Sequence, residues 1–267
     1  MSAARRVGLI GYGAIARALL QTIAPWQSQV DVVGIIRKNP GAQRTGSYPC
    51  CGTIGELLAL RPDLVVECAG HDALGTLGPR VLLEGIDLLV ASTGALADPS
   101  IETALRGAAA QSGSRAFLVA GAVGGLDALG AARHAGLEQV RYVGRKPPEA
   151  WRGTAAKQQV DLRQVTGSAV LVFEGTARQA ALRFPQNANV AAAVALAGLG
   201  FEQTQVQLFA DPTISGNLHR IEAHGAFGRF EIELSGIALP DNPKTSHLTV
   251  GSLSRALADP RELIVFA

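Results

Sequence analysis

The chain has 267 residues, 48% of them hydrophobic, and its 24 basic residues nearly balance its 22 acidic ones. This length allows one large domain or two smaller ones, and the balanced charge gives no sign of a nucleic-acid-binding surface. No apolar run suits a membrane span or a signal peptide, and three cysteines, two of them adjacent, make a poor disulfide framework. We therefore expect a cytoplasmic protein with no nucleic-acid or membrane partner.

A glycine-rich turn between a strand and a helix opens the chain. Residues 7–10 form a short apolar strand, and a helical pattern of apolar residues follows the turn Gly-Tyr-Gly-Ala-Ile-Ala. In such a turn the first glycine permits a sharp bend and the second lets the backbone approach a pyrophosphate, while a small last residue keeps helix and strand close. N–H groups at the helix start would then hold the phosphates. The residues predicted to bind the dinucleotide are Gly11, Gly13, Ala14, Ile15 and Ala16.

The second predicted strand, Val30–Ile36, ends where dinucleotide-binding folds discriminate between cofactors. An acidic residue at this point holds the ribose 2′-hydroxyl of NAD, whereas a basic residue accommodates the 2′-phosphate of NADP. The sequence has Arg37 and Lys38 there. Either the two are solvated loop charges or they contact the cofactor. Their placement indicates that NADP is at least tolerated, so the expected cofactor is NAD or NADP.

Strands continue to alternate with single helices as far as residue 120. A short capped helix is predicted over residues 53–60, and three more apolar strands over residues 63–68, 87–93 and 115–120. This alternation requires right-handed crossovers and a parallel sheet, whose ligands lie at the carboxyl ends of its strands. We therefore predict an N-terminal Rossmann domain whose cofactor also contacts Ala69 and Gly70, just after the third strand.

The pattern changes after Gly121, where the predicted strands begin to alternate between apolar and polar residues. A hairpin connection at residues 223–228 favours a mostly antiparallel sheet, and an apolar helix at residues 188–199 would cover one face of it. The predicted fold class is therefore α/β, with an N-terminal Rossmann domain and a second α+β domain. We assign residues 1–121 and a C-terminal helix within 242–267 to the first domain, and residues 122–241 to the second.

Several stretches of the second half together resemble the L-aspartate dehydrogenase family. They are residues 121–129, 145–151, 184–190, 217–222 and 242–246. The resemblance extends from the N-terminus to the final helix. It implies NAD(P)-dependent oxidation of L-aspartate to iminoaspartate, or the reverse amination of oxaloacetate with ammonia, and a product that leads into NAD biosynthesis. It also implies an active-site histidine at His219 and cofactor contacts at Ala122 and Asn189.

Oxidation of an amine requires a base that works near neutral pH, and histidine suits that role. His134 and His247 are expected at the surface, and His71 either touches the cofactor ribose or caps a helix. His219 and His224 lie an odd number of positions apart on one predicted strand, so they should face opposite sides of the sheet. Only one of them should face the crevice, and a purely structural role for His219 is the alternative.

The two carboxylates of the implied substrate need cations or oriented amides. Basic residues near the second domain's motifs are the first candidates, with a surface position as the alternative. Asn187 and Asn189 precede a predicted helix, where either one caps the helix or presents its amide to a ligand. The substrate-binding candidates are Arg145, Lys146, Asn187, Lys244 and Thr245.

Two other functions remain open at this point. Homoserine dehydrogenases and dihydrodipicolinate reductases also join a dinucleotide domain to an α+β domain, although their lysine-based motifs are absent from this sequence. A nucleotide sensor without catalysis is the other alternative, and the polar motifs of the second domain argue against it. We further expect the protein to form a homo-oligomer, namely a dimer. Neither the CxxC nor the HExxH spacing occurs, so no metal is expected.

Overall fold

The computed structural model describes residues 3–37, 44–185, 188–239 and 242–258. The chain divides into two compact units. The first is formed by Met1–Ser92, Thr103–Val119 and Val250–Ala267, and the second by Thr93–Glu102 and Ala120–Thr249. The sequence-based division differs from these units in three segments, because it placed residues 93–102, 120–121 and 242–249 in the first domain.

A mainly parallel sheet forms the centre of the first unit, with seven strands among the described residues in the order β3-β4-β2-β1-β5-β6-β7. The five strands that the sequence predicts all pair in parallel, as the alternation with helices requires. Two short strands at one edge, β3 and β4, were not predicted. The strands are β1 (Arg5–Ile10), β2 (Val30–Ile36), β3 (Arg44–Thr45), β4 (Tyr48–Cys51), β5 (Leu64–Glu67), β6 (Asp87–Val90) and β7 (Ala116–Leu118).

Helices connect the parallel strands. The short helix predicted over residues 53–60 is confirmed, with Thr53 as its N-cap: the threonine hydroxyl accepts from the Glu56 amide at 3.2 Å, and the Glu56 carboxylate accepts from the Gly52 amide at 2.8 Å. Pro99 is the first residue of the helix Pro99–Ser112, where no hydrogen bond within the helix needs the N–H that proline lacks. The helices are α1 (Ala14–Ile23), α2 (Ile54–Ala59), α3 (His71–Leu83) and α4 (Pro99–Ser112).

A mixed sheet with the strand order β12-β11-β8-β10-β9 forms the second unit. Three of its four strand pairs are antiparallel, as predicted. The exception is the parallel pair of β8 and β10, which a long crossover connects. A small antiparallel pair, β13 and β14, follows. The strands are β8 (Leu137–Lys146), β9 (Val170–Thr176), β10 (Gln205–Ala210), β11 (Asn217–Gly225), β12 (Gly228–Gly236), β13 (Ala238–Leu239) and β14 (Asn242–Ser246).

An apolar helix, α7, lies in the core of the second unit. Six consecutive residues from Val190 to Ala195 are buried, which is typical of a helix surrounded by protein on all sides. The C-terminal helix belongs to the first unit from Val250 onward. No helix in the described ranges combines the length and the hydrophobicity needed to cross a bilayer. The helices are α5 (Leu126–His134), α6 (Ala177–Arg183), α7 (Asn189–Ala197) and α8 (His247–Leu257).

Candidate active site

The glycine turn after β1 has the geometry that the sequence predicts. Gly11 has a φ of +104°, and a Cβ atom there would lie 2.9 Å from the Cβ of Ala69, so glycine is required. Gly13 has extended backbone, and a Cβ atom there would meet no described atom within 4 Å. Ala16 is fully buried. The turn therefore bends sharply, packs closely and leaves one open side next to Gly13.

The helices that follow β1 and β5 begin without a side-chain cap. Their N-cap residues are Gly13 and Gly70, neither of which can offer a side-chain oxygen to the first N–H groups. The first turn of α1 also lacks an acidic residue, and Ala14 and Ile15 are only half-buried. Its uncapped N–H groups and positive dipole end suit a phosphate. This part of the first unit thus fits a dinucleotide.

A buried carboxylate that sequence reasoning missed fixes the neighbouring loop. Glu67 is fully buried, and its Oε1 accepts hydrogen bonds from the amides of Ala69 at 2.7 Å and Gly70 at 2.9 Å. Ser92 donates through its hydroxyl at 2.9 Å and its amide at 3.1 Å. Burial raises the pKa of Glu67, while these hydrogen bonds act to lower it. An acidic residue inside the apolar stretch Asp-Leu-Val-Val-Glu-Cys was the available signal.

Replacement of Gly13 by valine should abolish tight cofactor binding without unfolding the protein. The backbone conformation at Gly13 is accessible to any residue, and the added side chain would extend into the open side where a pyrophosphate is expected. Fluorescence titration with NADH and NADPH measures the effect. Gly107→Val, at an exposed helical glycine with equally open surroundings, is the control. Equal affinity in the Gly13 variant and the wild type would contradict the assignment.

His219 is buried on the inner face of the second unit's sheet. It is 2% exposed, whereas His224 on the same strand is exposed, which confirms the prediction that the two face opposite sides. The Nδ1 atom of His219 lies 2.7 Å from the hydroxyl of Tyr142, and the two rings stack at 19°. Its Nε2 atom is also buried and has no hydrogen-bond partner in the described part of the chain. An unsatisfied buried nitrogen of this kind requires an explanation, and a ligand is one.

Lys146 lies on the same face of the sheet as His219. It is only 4% exposed, and it follows Tyr142 and Gly144 along β8 at alternate positions, with Gly144 directly opposite His219. Burial lowers the pKa of His219 to about 3, and the charge of Lys146 adds to this effect. The imidazole is therefore neutral at pH 7 in the free protein. A cation and a neutral imidazole together suit an anionic substrate that must lose a proton.

Arg145, the neighbour of Lys146, faces the other side of β8. Its guanidinium pairs with the buried Asp211 carboxylate at 3.4 Å and lies over the ring of Phe209. Burial acts to raise the pKa of Asp211, but hydrogen bonds from Thr213 and the nearby Arg145 outweigh it and lower the value. The structure therefore separates two adjacent candidates: Lys146 shares the face of His219, and Arg145 neutralises a buried acid.

Asn189 is the first residue of α7, and the N-cap of this helix is Ala188. Asn189 therefore does not cap the helix, which was one of the two roles that the sequence allowed for it. Its side-chain oxygen accepts from the Gly94 amide at 3.0 Å, and its carbonyl accepts from the Thr93 hydroxyl at 2.9 Å. These bonds hold residues 93–97, a short 3-10 helix, within the second unit. Among the described residues no hydrogen bond engages the side-chain amide nitrogen of Asn189, so this nitrogen can donate to a ligand.

The remaining candidates differ in how far the structure describes them. Ala122 is buried, and Arg37 is half-buried directly after β2. Lys38 and Asn187 lie outside the described residues, and Lys244 and Thr245 belong to β14, with side chains that are not described. Within the described ranges, no three His, Cys, Asp or Glu side chains cluster as a metal site would require.

A dinucleotide-binding sheet joined to an α+β unit with a buried histidine defines the class of NAD(P)-dependent dehydrogenases. Residues 11–119 match the NAD-binding domain of homoserine dehydrogenase, and residues 127–259 match the C-terminal domain of aspartate dehydrogenase. The chain belongs to the L-aspartate dehydrogenase family. The expected fold class and family are thereby confirmed.

Individual relatives agree with this membership. The chain is 46% identical over 257 residues to an L-aspartate dehydrogenase of Cupriavidus taiwanensis. The matched residues make up 95% of this chain and 96% of the relative. It is 55% identical over 199 residues, 74% of each chain, to an L-aspartate dehydrogenase of Ralstonia nicotianae. The crystal structure of aspartate dehydrogenase from Thermotoga maritima superposes with a TM-score of 0.78 at 25% identity, covering 98% of this chain and 99% of that one.

Proposed function

We propose that this chain catalyses the NAD(P)-dependent oxidation of L-aspartate to iminoaspartate, and in reverse the amination of oxaloacetate with ammonia. The observation that carries this proposal is the buried Nε2 atom of His219, without a protein partner in the described ranges, on the same sheet face as the buried Lys146. Family membership supports the choice of substrate. The glycine turn and the uncapped start of α1 support a nicotinamide cofactor, which supplies the hydride acceptor.

In the second unit, different residues bind the substrate and accept its proton. Lys146 holds one carboxylate of L-aspartate by a charge-assisted hydrogen bond. His219 accepts, at Nε2, the proton that the ammonium group must lose before the Cα hydride can leave. Asn187, Lys244 and Thr245 remain proposed contacts to the rest of the substrate. Arg145 acts on the substrate only indirectly. It pairs with Asp211, whose amide donates a hydrogen bond to the Lys146 carbonyl at the end of β8.

The low pKa of His219 in the free protein fits this role. An imidazole that is neutral before the substrate arrives does not have to lose a proton first. The two carboxylates of L-aspartate then bring negative charge to the site, which favours the imidazolium and raises the pKa of His219. Substrate binding therefore makes His219 a stronger base when it is needed.

The direct test is a spectrophotometric assay with the purified protein. NADH or NADPH, ammonia and oxaloacetate should give a fall in absorbance at the nicotinamide band, and L-aspartate with NAD or NADP should give a rise. A nucleotide sensor would bind the cofactor without turnover. Turnover with homoserine but not with L-aspartate would instead assign the homoserine dehydrogenase activity whose cofactor domain residues 11–119 resemble.

Arg37→Asp should move the cofactor preference from NADP towards NAD. Arg37 follows β2 directly, where a carboxylate would repel the 2′-phosphate and accept a hydrogen bond from the ribose hydroxyl. The ratio of kcat/KM with NADP to kcat/KM with NAD measures the change, with Arg61→Asp after α2 as the control. An unchanged ratio would show that Arg37 does not contact the 2′ position.

The assembly and the cellular setting are also proposals. We propose a homodimer, which light scattering would test by finding the mass of two chains. A cytoplasmic location agrees with the three cysteines, which suit a reducing compartment. There the iminoaspartate product would be available to NAD biosynthesis.

A further inference from the structure

The buried carboxylate of Glu67 has no positively charged partner in the described part of the chain. It accepts four hydrogen bonds, from the amides of Ala69, Gly70 and Ser92 and from the Ser92 hydroxyl. None of the ion pairs between described residues includes it. Burial raises its pKa, and only these neutral donors act to lower it. A buried charge without an opposite charge is costly, so a positively charged ligand group near Glu67 would be stabilised.

The surroundings of Glu67 suit its ionised form. Three of its four hydrogen-bond partners are backbone N–H groups, which can only donate, and several such bonds stabilise a carboxylate in its charged form. The carboxylate also lies close below the surface of the loop that follows β5. It binds the amides of Ala69, which is exposed, and of Gly70, which is half-buried. A single layer of backbone therefore covers the negative charge.

The strand order predicts which half of the cofactor approaches Glu67. The pyrophosphate is expected at the start of α1, after β1, and the ribose 2′ position is recognised at the end of β2. Because β1 lies between β2 and β5, the nicotinamide half should extend the other way, over the ends of β5 and β6. Glu67 is the last residue of β5, and its partner Ser92 follows β6. The buried carboxylate is therefore on the nicotinamide side of the pyrophosphate.

We propose that Glu67 makes the enzyme bind the oxidised cofactor in preference to the reduced one, because its carboxylate balances the positive charge of the nicotinamide ring. The ring is cationic in NAD⁺ and neutral in NADH, whereas the riboses and the pyrophosphate are the same in both. The carboxylate therefore stabilises only the oxidised form, which makes bound NADH a stronger hydride donor. This inference rests on the cofactor of the proposed function and not on its substrate.

Glu67→Gln tests the proposal through the ratio of two dissociation constants. Glutamine keeps the size of the side chain and one acceptor oxygen but removes the charge. The affinity for NAD⁺ should fall about tenfold more than the affinity for NADH, as expected when one unit charge is lost across a partly screened site. Titration of NADH fluorescence gives one constant, and displacement of NADH by NAD⁺ gives the other.

Two control variants separate charge from loop structure. Ser92→Ala removes a hydrogen bond from the same carboxylate and keeps its charge, and Glu56→Gln removes a carboxylate that accepts from the Gly52 amide elsewhere in the first unit. Both should keep the wild-type ratio. If Glu67→Gln weakens the binding of NAD⁺ and NADH equally, or changes neither, the inference is overturned and Glu67 only supports the loop.

Infrared spectroscopy of the wild type tests the charge of Glu67 even if Glu67→Gln does not fold. Glu67 and Asp211 are the only buried acids in the described ranges, and despite its burial Asp211 has a lowered pKa because Thr213 and Arg145 bond to it. The folded protein at neutral pH should therefore show no carbonyl band of a buried protonated carboxyl group, and such a band would contradict the proposal.

The same measurements distinguish this inference from the proposed function. If the ratio shifts in Glu67→Gln as expected but the wild type does not oxidise L-aspartate, the substrate assignment fails and the role of Glu67 stands. If the wild type binds neither the oxidised nor the reduced cofactor, the cofactor assignment and this inference fail together.

Discussion

His219→Ala is expected to lose most of its L-aspartate oxidation while it still binds NAD or NADP. A positioned general base contributes on the order of 10²–10⁴-fold to the rate. Most of the predicted cofactor contacts, from the glycine turn to Gly70, belong to the first unit, whereas His219 belongs to the second and is not one of the contacts predicted there, Ala122 and Asn189. Steady-state kinetics and a cofactor titration on the same preparation should therefore separate rate from binding.

The companion variant for this experiment is His224→Ala. His224 lies on the same strand but is exposed on the opposite face, so its loss should leave turnover unchanged. Thermal unfolding would establish that the His219 variant is folded, since it removes a buried side chain. Turnover of His219→Ala within about threefold of the wild type is far less than the loss of a general base produces, and would remove His219 from the mechanism.

Lys146→Met should raise the KM for L-aspartate roughly 10- to 100-fold, as expected when a buried substrate carboxylate loses a hydrogen bond from a charged group. Methionine keeps the length and the apolar stem of the buried lysine, so the packing of this face should survive. The KM for the cofactor should stay constant because Lys146 is not among the predicted cofactor contacts, most of which belong to the first unit. Initial rates over a range of L-aspartate concentrations measure the effect.

Lys157→Met provides the comparison, because Lys157 is an exposed lysine in the same unit. A Lys146 variant with the wild-type KM for L-aspartate would exclude Lys146 from carboxylate binding. Lys244 and Thr245 would then be the next residues to test. A loss of kcat without a change in KM would instead indicate that Lys146 acts mainly on the protonation of His219, whose pKa its charge lowers.

Local patterns in the sequence were sufficient for the parts of this protein that depend on neighbouring residues. The glycine turn, the cap of α2 and the hairpin between β11 and β12 are all short-range features, and each was found in its predicted place. Parity along one strand was also enough to place His219 and His224 on opposite faces. The sequence alone left Arg145 and Lys146 as equal candidates, because only the extent of β8, which continues to Lys146, shows that they face opposite sides of the sheet.

Only the tertiary structure decided which distant residues complete each site. Tyr142 and His219 are 77 positions apart, and Gly94 and Asn189 are 95 apart, so no local pattern connects them. Strand register brings the first pair together across Gly144. Glu67 similarly needed Ser92, at the end of the adjacent strand, before its buried carboxylate could be explained. The sequence by itself determined the glycine turn, the sheet types and the candidate histidine. Strand register and burial decided which residues pair with them, because hydrogen bonds between strands depend on how the strands align.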